Sequence, residues 1–130
     1  TMAVGTGTDL SEAACLQASA NAVLHDVDPR AEVIQSDWFG AVQGSYDLIV
    51  SNPPYLAADE MDDVAPELRD HEPRMAHLAA GGRLICEIGW TQAADVVEIF
   101  YAAGWQDVVC LPDMDGRDRV ICARTPPRTA

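Results

Sequence analysis

The 130-residue chain reads as an α/β fold: a mostly parallel sheet with helices packed on it and an antiparallel hairpin at its carboxyl-terminal end. Three observations lead there. Residues 46–50 form a short run of apolar and β-branched side chains, the composition of a buried strand. Helical stretches over 11–25 and 91–103 alternate with runs of that kind. Two β-rich runs, 105–111 and 119–124, are separated by Pro112-Asp113-Met114-Asp115-Gly116, a natural hairpin turn.

Taken in order, Gly5 and Gly7 suit a tight turn after a first strand, since a backbone without Cβ lets a ligand approach closely. A frayed terminus is the competing reading. Asp9 and Ser11 are both candidates to cap the helix over 11–25, with Glu12 in its first turn. Its packing face is expected from Ala13, Ala14, Leu16, Ala18, Ala20, Ala22, Val23 and Leu24. Only Thr8 separates Gly7 from Asp9, whereas a strand–helix–strand crossover needs a dozen or more residues. The sheet is therefore expected to be incomplete near residues 7–9.

Residues 26–29 make a turn and 31–35 a short strand, followed by Ser36-Asp37-Trp38-Phe39. A strand-end turn with Trp38 or Phe39 plugging the core is one reading of that tetrapeptide. Gln43-Gly44 turns the chain into the strand at 46–50. Residues 57–64 suit a short helix and 66–73 a loop, long enough to serve as a lid beside a pocket. Asp59, Glu60, Asp62 and Asp63 read as a solvated face. Gly81-Gly82 is expected to end a helix remnant before a strand over 83–88 with Glu87 at its far end. The helix over 91–103 stops at Gly104. One domain over 1–125 and a tail over 126–130 are expected.

The strand at 46–50 halts at Asn52-Pro53-Pro54-Tyr55. Pro53 and Pro54 fix two φ angles and remove two amide donors, so the chain leaves the sheet as a stiff corner. Open α/β sheets bind ligands outside the carboxyl ends of their strands. There the Asn52 side-chain oxygen and the Pro53 carbonyl can each accept one hydrogen of a planar NH2 group, with the Tyr55 ring against its π-face. That pose aims the nitrogen lone pair away from both acceptors. The plainer alternative is a strand-terminating turn, for which Asn-Pro is a common signal.

Asp47-Leu48-Ile49-Val50-Ser51-Asn52-Pro53-Pro54-Tyr55 resembles the Asn-Pro-Pro-Tyr motif of S-adenosylmethionine-dependent methyltransferases acting on planar nitrogens. It is most similar to the HemK-type protein-glutamine methyltransferases, which modify the Gly-Gly-Gln glutamine of peptide-chain release factors. Residues 67–74, Gly81-Gly82-Arg83-Leu84 leading into Glu87-Ile88-Gly89-Trp90, and 116–120 extend the likeness over most of 5–124. The resemblance implies a Rossmann-like class I methyltransferase sheet, incomplete near residues 75–78 as well as 7–9, since the family carries a further loop and most of a helix before the Gly-Gly turn. It implies S-adenosylmethionine as cofactor, leaving as S-adenosylhomocysteine and held by Gly5, Gly7, Asp9, Asp37, Trp38 and Asn52. In that scheme a glycine loop cradles the methionine end, Asp9 meets the ribose, Asp37 the adenine amino group, and Trp38 packs on the adenine. Asn52, Pro53 and Tyr55 take the catalytic roles, and Pro54 and Glu72 join them in the substrate pocket. The partner implied is a class I release factor. The helical recognition domain that usually precedes such a domain is expected to be absent here. The rivals are a methyltransferase for an exocyclic amine of DNA or ribosomal RNA or for a ribosomal-protein glutamine, and an inactive cofactor-binding or partner-binding remnant.

Charge narrows the field. The net charge is −13 and the chain contains no lysine, so its surface repels a phosphate backbone that Lys and Arg ordinarily neutralise. No direct nucleic-acid partner and no membrane partner are expected. Cys15, Cys86, Cys110 and Cys122 have no C-x-x-C spacing and read as reduced thiols of a cytoplasmic protein. His71 and His77 lack ligand-like companions, so no metal and no histidine base is assigned.

Overall fold

The computed structural model describes residues 2–52 and 75–127. The chain divides into two units, Thr1–Gln43 and Gly44–Ala130, taken here in turn.

The first unit is a strand–helix–strand crossover: β1 (Gly5–Asp9), α1 (Glu12–Leu24), a 3₁₀ turn (Asp28–Arg30) and β2 (Ala31–Gln35). β1 and β2 run parallel in an unbroken register from Gly5↔Ala31 to Asp9↔Gln35. One expectation is corrected by this. Gly5 and Gly7 are strand residues without positive φ, so the tight turn is not formed there. The partners advance one at a time through Gly7, Thr8 and Asp9, and the crossover is the thirteen-residue α1 that follows. Local sequence allows either state, because glycine enters a strand or a turn. Pairing with the β-branched residues of β2 decides for the strand.

α1 starts where its orphan amides find side chains. Ser11 is its N-cap, extended at φ −82° and ψ 121°, and its hydroxyl accepts from the Ala14 amide at 3.3 Å. Its buried face rests on Cys15 and Ala22, seven residues apart. Leu16, Val23 and Leu24 point outward, more than half exposed, against the expected packing face. The Cys15 thiol donates to the Asp9 and Ile34 carbonyls at 3.5 and 3.6 Å, which ties the helix to both strands.

Among the described residues, the second unit is a four-stranded sheet with one covering helix: β3 (Tyr46–Ser51), β4 (Leu78–Glu87), α2 (Ala93–Ala102), β5 (Gln106–Pro112) and β6 (Asp118–Arg124). Its order is β3-β4-β6-β5, with β3 parallel to β4 and the other pairs antiparallel. Thus the fold is α/β with parallel strands and a closing antiparallel hairpin, as the sequence predicts. One sheet face supplies the core: Leu84, Cys86, Ile121, Ala123 and Val108 pack with Val96 and Phe100 of α2 and with Trp105. Phe100 and Trp105 stack with centroids 5.5 Å apart.

β4 begins earlier than expected. Gly81 and Gly82 lie inside it rather than ending a helix, and Gly81 has φ +73°. The register jumps from Tyr46↔Leu78 to Leu48↔Arg83, so this glycine pair absorbs a bulge. Met75 and Ala76, just before it, are helical. The helix and loop expected over 57–73 lie outside the described residues. At the other end of β4, the Gln92 side chain accepts from the Gly89 amide at 3.0 Å and opens α2. Gly104, at φ +91°, closes the turn beyond that helix.

Candidate functional site

β3 and β4 point the same way, so their carboxyl ends lie at one end of the sheet. Tyr46 is joined to the sheet through the His77 carbonyl at 2.8 Å. Ile49 packs toward the core, so the alternation of a strand sends Leu48, Val50 and Asn52 to the opposite face. Leu48 and Val50 are exposed there, and Asn52 is exposed at the strand's end. The amide thus stands at the carboxyl end of a parallel strand, where ligands of α/β sheets collect. Pro53, Pro54, Tyr55 and Glu72 lie outside the described residues.

Asn52 has a neighbour that sequence reasoning left aside. Ser51, the last residue of β3, pairs with Cys86, and the residues that follow them in the chain are Asn52 and Glu87. Cys86 is fully buried in the core, which turns Glu87, half-buried, to the face that carries Asn52. On its other side Glu87 pairs with Val120. Beyond it, Trp90 is exposed, with the Arg117 guanidinium 5.8 Å from its ring centre.

In the first unit, the other group of expected residues gathers at the carboxyl ends of β1 and β2. Asp9 ends β1 and is exposed. One of its oxygens accepts from the Ser11 amide at 2.8 Å, and Ser11 rather than Asp9 is the N-cap of α1. The Asp9 carbonyl accepts from the Ser36 amide at 3.0 Å, which brings the turn carrying Asp37 and Trp38 beside it. Ser36 is buried, and its hydroxyl donates to the Trp38 carbonyl and accepts from the Ala41 amide, each at 2.9 Å. Trp38 sits at φ +52°, a left-handed conformation that costs a non-glycine residue energy. Its ring is 38% exposed rather than plugged into the core.

These residues fit the nucleoside end of S-adenosylmethionine. Asp9 and Asp37 bring carboxylate acceptors, which suit ribose hydroxyls and an adenine amine, and Trp38 brings an open aromatic face. Gly5 and Gly7 lie within β1 rather than in a turn. Among the described residues no group of three His, Cys, Asp or Glu could hold a metal ion. No described helix is long and apolar enough to cross a membrane. All four cysteines are free, with Cys15 and Cys86 buried and Cys110 and Cys122 half-buried.

Known proteins resemble this chain in sequence and in fold. Residues 3–94 match the model of the methyltransferase small domain. A protein of Cereibacter sphaeroides named release factor glutamine methyltransferase is 46% identical over 142 aligned positions, covering 94% of this chain and 51% of the relative. The chain thus spans about half the length of the curated relatives it matches. Among solved structures, a methyltransferase from Pyrococcus furiosus aligns with a TM-score of 0.74 at 20% identity, over 93% of this chain and 62% of its own. The N-terminal domain of human METTL16 in complex with SAH aligns at 0.67 and 16% identity, over 92% of this chain and 51% of its own.

Proposed function

The chain belongs to the methyltransferase small-domain family, and from that premise we propose that it methylates the side-chain amide nitrogen of a glutamine in a protein substrate, using S-adenosylmethionine. The observation that carries this reading is Asn52, exposed at the carboxyl end of parallel strand β3 and running directly into Pro53, Pro54 and Tyr55.

When bound, S-adenosylmethionine supplies a methyl group already activated by a sulfonium, and S-adenosylhomocysteine leaves. In the first unit, Asp9 would accept from the ribose hydroxyls, Asp37 from the adenine amine, and Trp38 would pack on the ring. In the second, Asn52 would meet the substrate amide. An amide nitrogen is a poor nucleophile, because its lone pair is delocalised into the carbonyl. The work left to the protein is therefore orientation and charge stabilisation. The Asn52 Oδ1 and the Pro53 carbonyl each accept one amide hydrogen. That fixes the NH2 plane and keeps the lone pair clear of both acceptors. Tyr55 walls the π-face, and Pro54 and Glu72 shape the pocket.

The substrate proposed is the Gly-Gly-Gln loop of a class I release factor in the cytoplasm. Relatives named for that reaction support it, and so does the net charge of −13, which disfavours a phosphate backbone. The test is transfer of a labelled methyl group from S-adenosylmethionine to a Gly-Gly-Gln protein, and in parallel to DNA and ribosomal RNA, with the modified residue located by mass spectrometry. Label on the glutamine is expected. Label on nucleic acid alone would replace this reading with the exocyclic-amine one, and no label with intact cofactor binding would leave the inactive remnant.

A further inference from the structure

The carboxyl end of β4 carries a surface group to which the reading above gives no role. We propose that Trp90, held by Arg117 and flanked by Met114, is the docking platform for the protein substrate, and that it receives an apolar side chain from a basic segment beside the methylated glutamine. This rests on the glutamine-amide reading above.

Position is the first argument. Ser51 pairs with Cys86 in two parallel strands, so Trp90, four residues beyond Cys86, follows the strand end at which Asn52 stands. The Ile88 amide donates to the Arg119 carbonyl at 2.8 Å, and Arg119 Nη1 donates to the Ile88 carbonyl at 3.5 Å. Those two bonds clamp the chain leaving β4 against the start of β6. The hairpin turn is closed by its own bonds: the Asp113 amide donates to the Arg117 carbonyl at 2.8 Å, and the Gly116 amide to the Asp113 carbonyl at 3.1 Å. Trp90 and Arg117 thus meet across a fixed frame, the guanidinium 5.8 Å from the ring centre. A platform already held in place is spared part of the ordering cost of binding.

Exposure is the second. An exposed apolar side chain standing alone means little. Here Trp, Arg and Met, all enriched at protein interfaces, occur together at one end of one sheet. Trp90 is 57% exposed even with the cation on its ring, and Met114, in the same turn as Arg117, is wholly exposed.

Charge chooses the occupant. An indole and a guanidinium could also stack a nucleic-acid base. The same turn, however, carries Asp113 and Asp115 and runs into Asp118, with Asp115 and Asp118 exposed. Arg119 is already paired with Asp113 at 3.3 Å. In a chain of net charge −13, such a rim repels phosphates and favours a basic protein segment.

The experiment compares the intact protein with Trp90→Ala, Trp90→Phe and Met114→Ala. It measures steady-state methyl transfer to a Gly-Gly-Gln protein at low and high salt, transfer to ribosomal RNA, cofactor affinity by calorimetry, and melting temperature. For Trp90→Ala we expect KM for the protein to rise about tenfold or more, with kcat and cofactor affinity kept within about threefold, the pattern of lost uniform binding. Trp90→Phe should recover part of that loss, and Met114→Ala should raise KM a few-fold, roughly. The parent's KM should rise with salt. A Trp90→Ala protein that melts like the parent and keeps its KM would overturn the proposal. So would an unchanged KM in Met114→Ala, should Trp90→Ala fail to fold, and so would a loss confined to kcat. A parent KM indifferent to salt would overturn the basic segment. Transfer to RNA that weakens in Trp90→Ala would give the platform to a base and overturn the protein occupant. A parent that transfers nothing to glutamine defeats the glutamine-amide reading itself, a result distinct from normal transfer with an unmoved KM.

Discussion

A Cβ built on Gly82 would lie 2.8 Å from the Ala79 carbonyl oxygen and 3.2 Å from a Leu78 methyl. The nearest atom is backbone and cannot swing aside. Gly82→Ala should therefore cost about 1–3 kcal/mol, the usual range for forcing extra volume into a packed site, read as a lower melting temperature. An unchanged melt would mean that the bulge in β4 is soft. The sequence marks Gly81-Gly82 as a break but gives it to a helix end, because the clash with Ala79 depends on a register that pairs Tyr46 with Leu78. Asn52 is legible from its own neighbours, since two prolines stop a strand wherever they fall. Glu87 is legible as a strand end but not as the neighbour of Asn52. Their adjacency is a property of pairing, invisible to any local window.

The hairpin between β5 and β6 is fixed by one side chain. The Asp113 carboxylate accepts from the Arg117 amide at 3.0 Å, the Asp115 amide at 2.9 Å and Arg119 Nε at 3.3 Å. The Arg117 amide is the main cause holding its pKa below the ordinary 3.8; burial opposes it, and the Asp115 amide and Arg119 add to the lowering. A lowered carboxyl pKa contributes stability that is fully present above the ordinary value and is lost as pH falls through the folded-state value. Asp113→Ala should therefore lower the melting temperature at neutral pH, and its gap from the parent should narrow in acid below about pH 4. A gap independent of pH would point to the turn's shape rather than its charge. The hairpin itself is legible from its turn residues. The glycines of β1 are not, because glycine is silent about strand or turn until a partner strand is supplied. α1 is legible as a helix, yet its buried side is set by Cys15 and Ala22 rather than by its larger apolar residues.

At the scale of the whole chain, sequence foretells the class of fold well, because strand, helix and hairpin signals are local and mutually consistent. The net charge of −13 is equally plain from composition, and it bears on which partners the surface admits. What composition cannot supply is the grouping of Asp9 with Asp37 in one unit and of Asn52 with Glu87 in the other, which comes from two separate parallel pairings. The central claim is that Asn52 orients the substrate amide for methyl transfer. Its most direct test is Asn52→Ala, with methyl-transfer turnover on a Gly-Gly-Gln protein and S-adenosylmethionine affinity measured on the same preparation. Loss of most turnover, on the order of 10²-fold or more, with cofactor affinity kept within a few-fold, is the predicted result. Turnover equal to the parent's would contradict it.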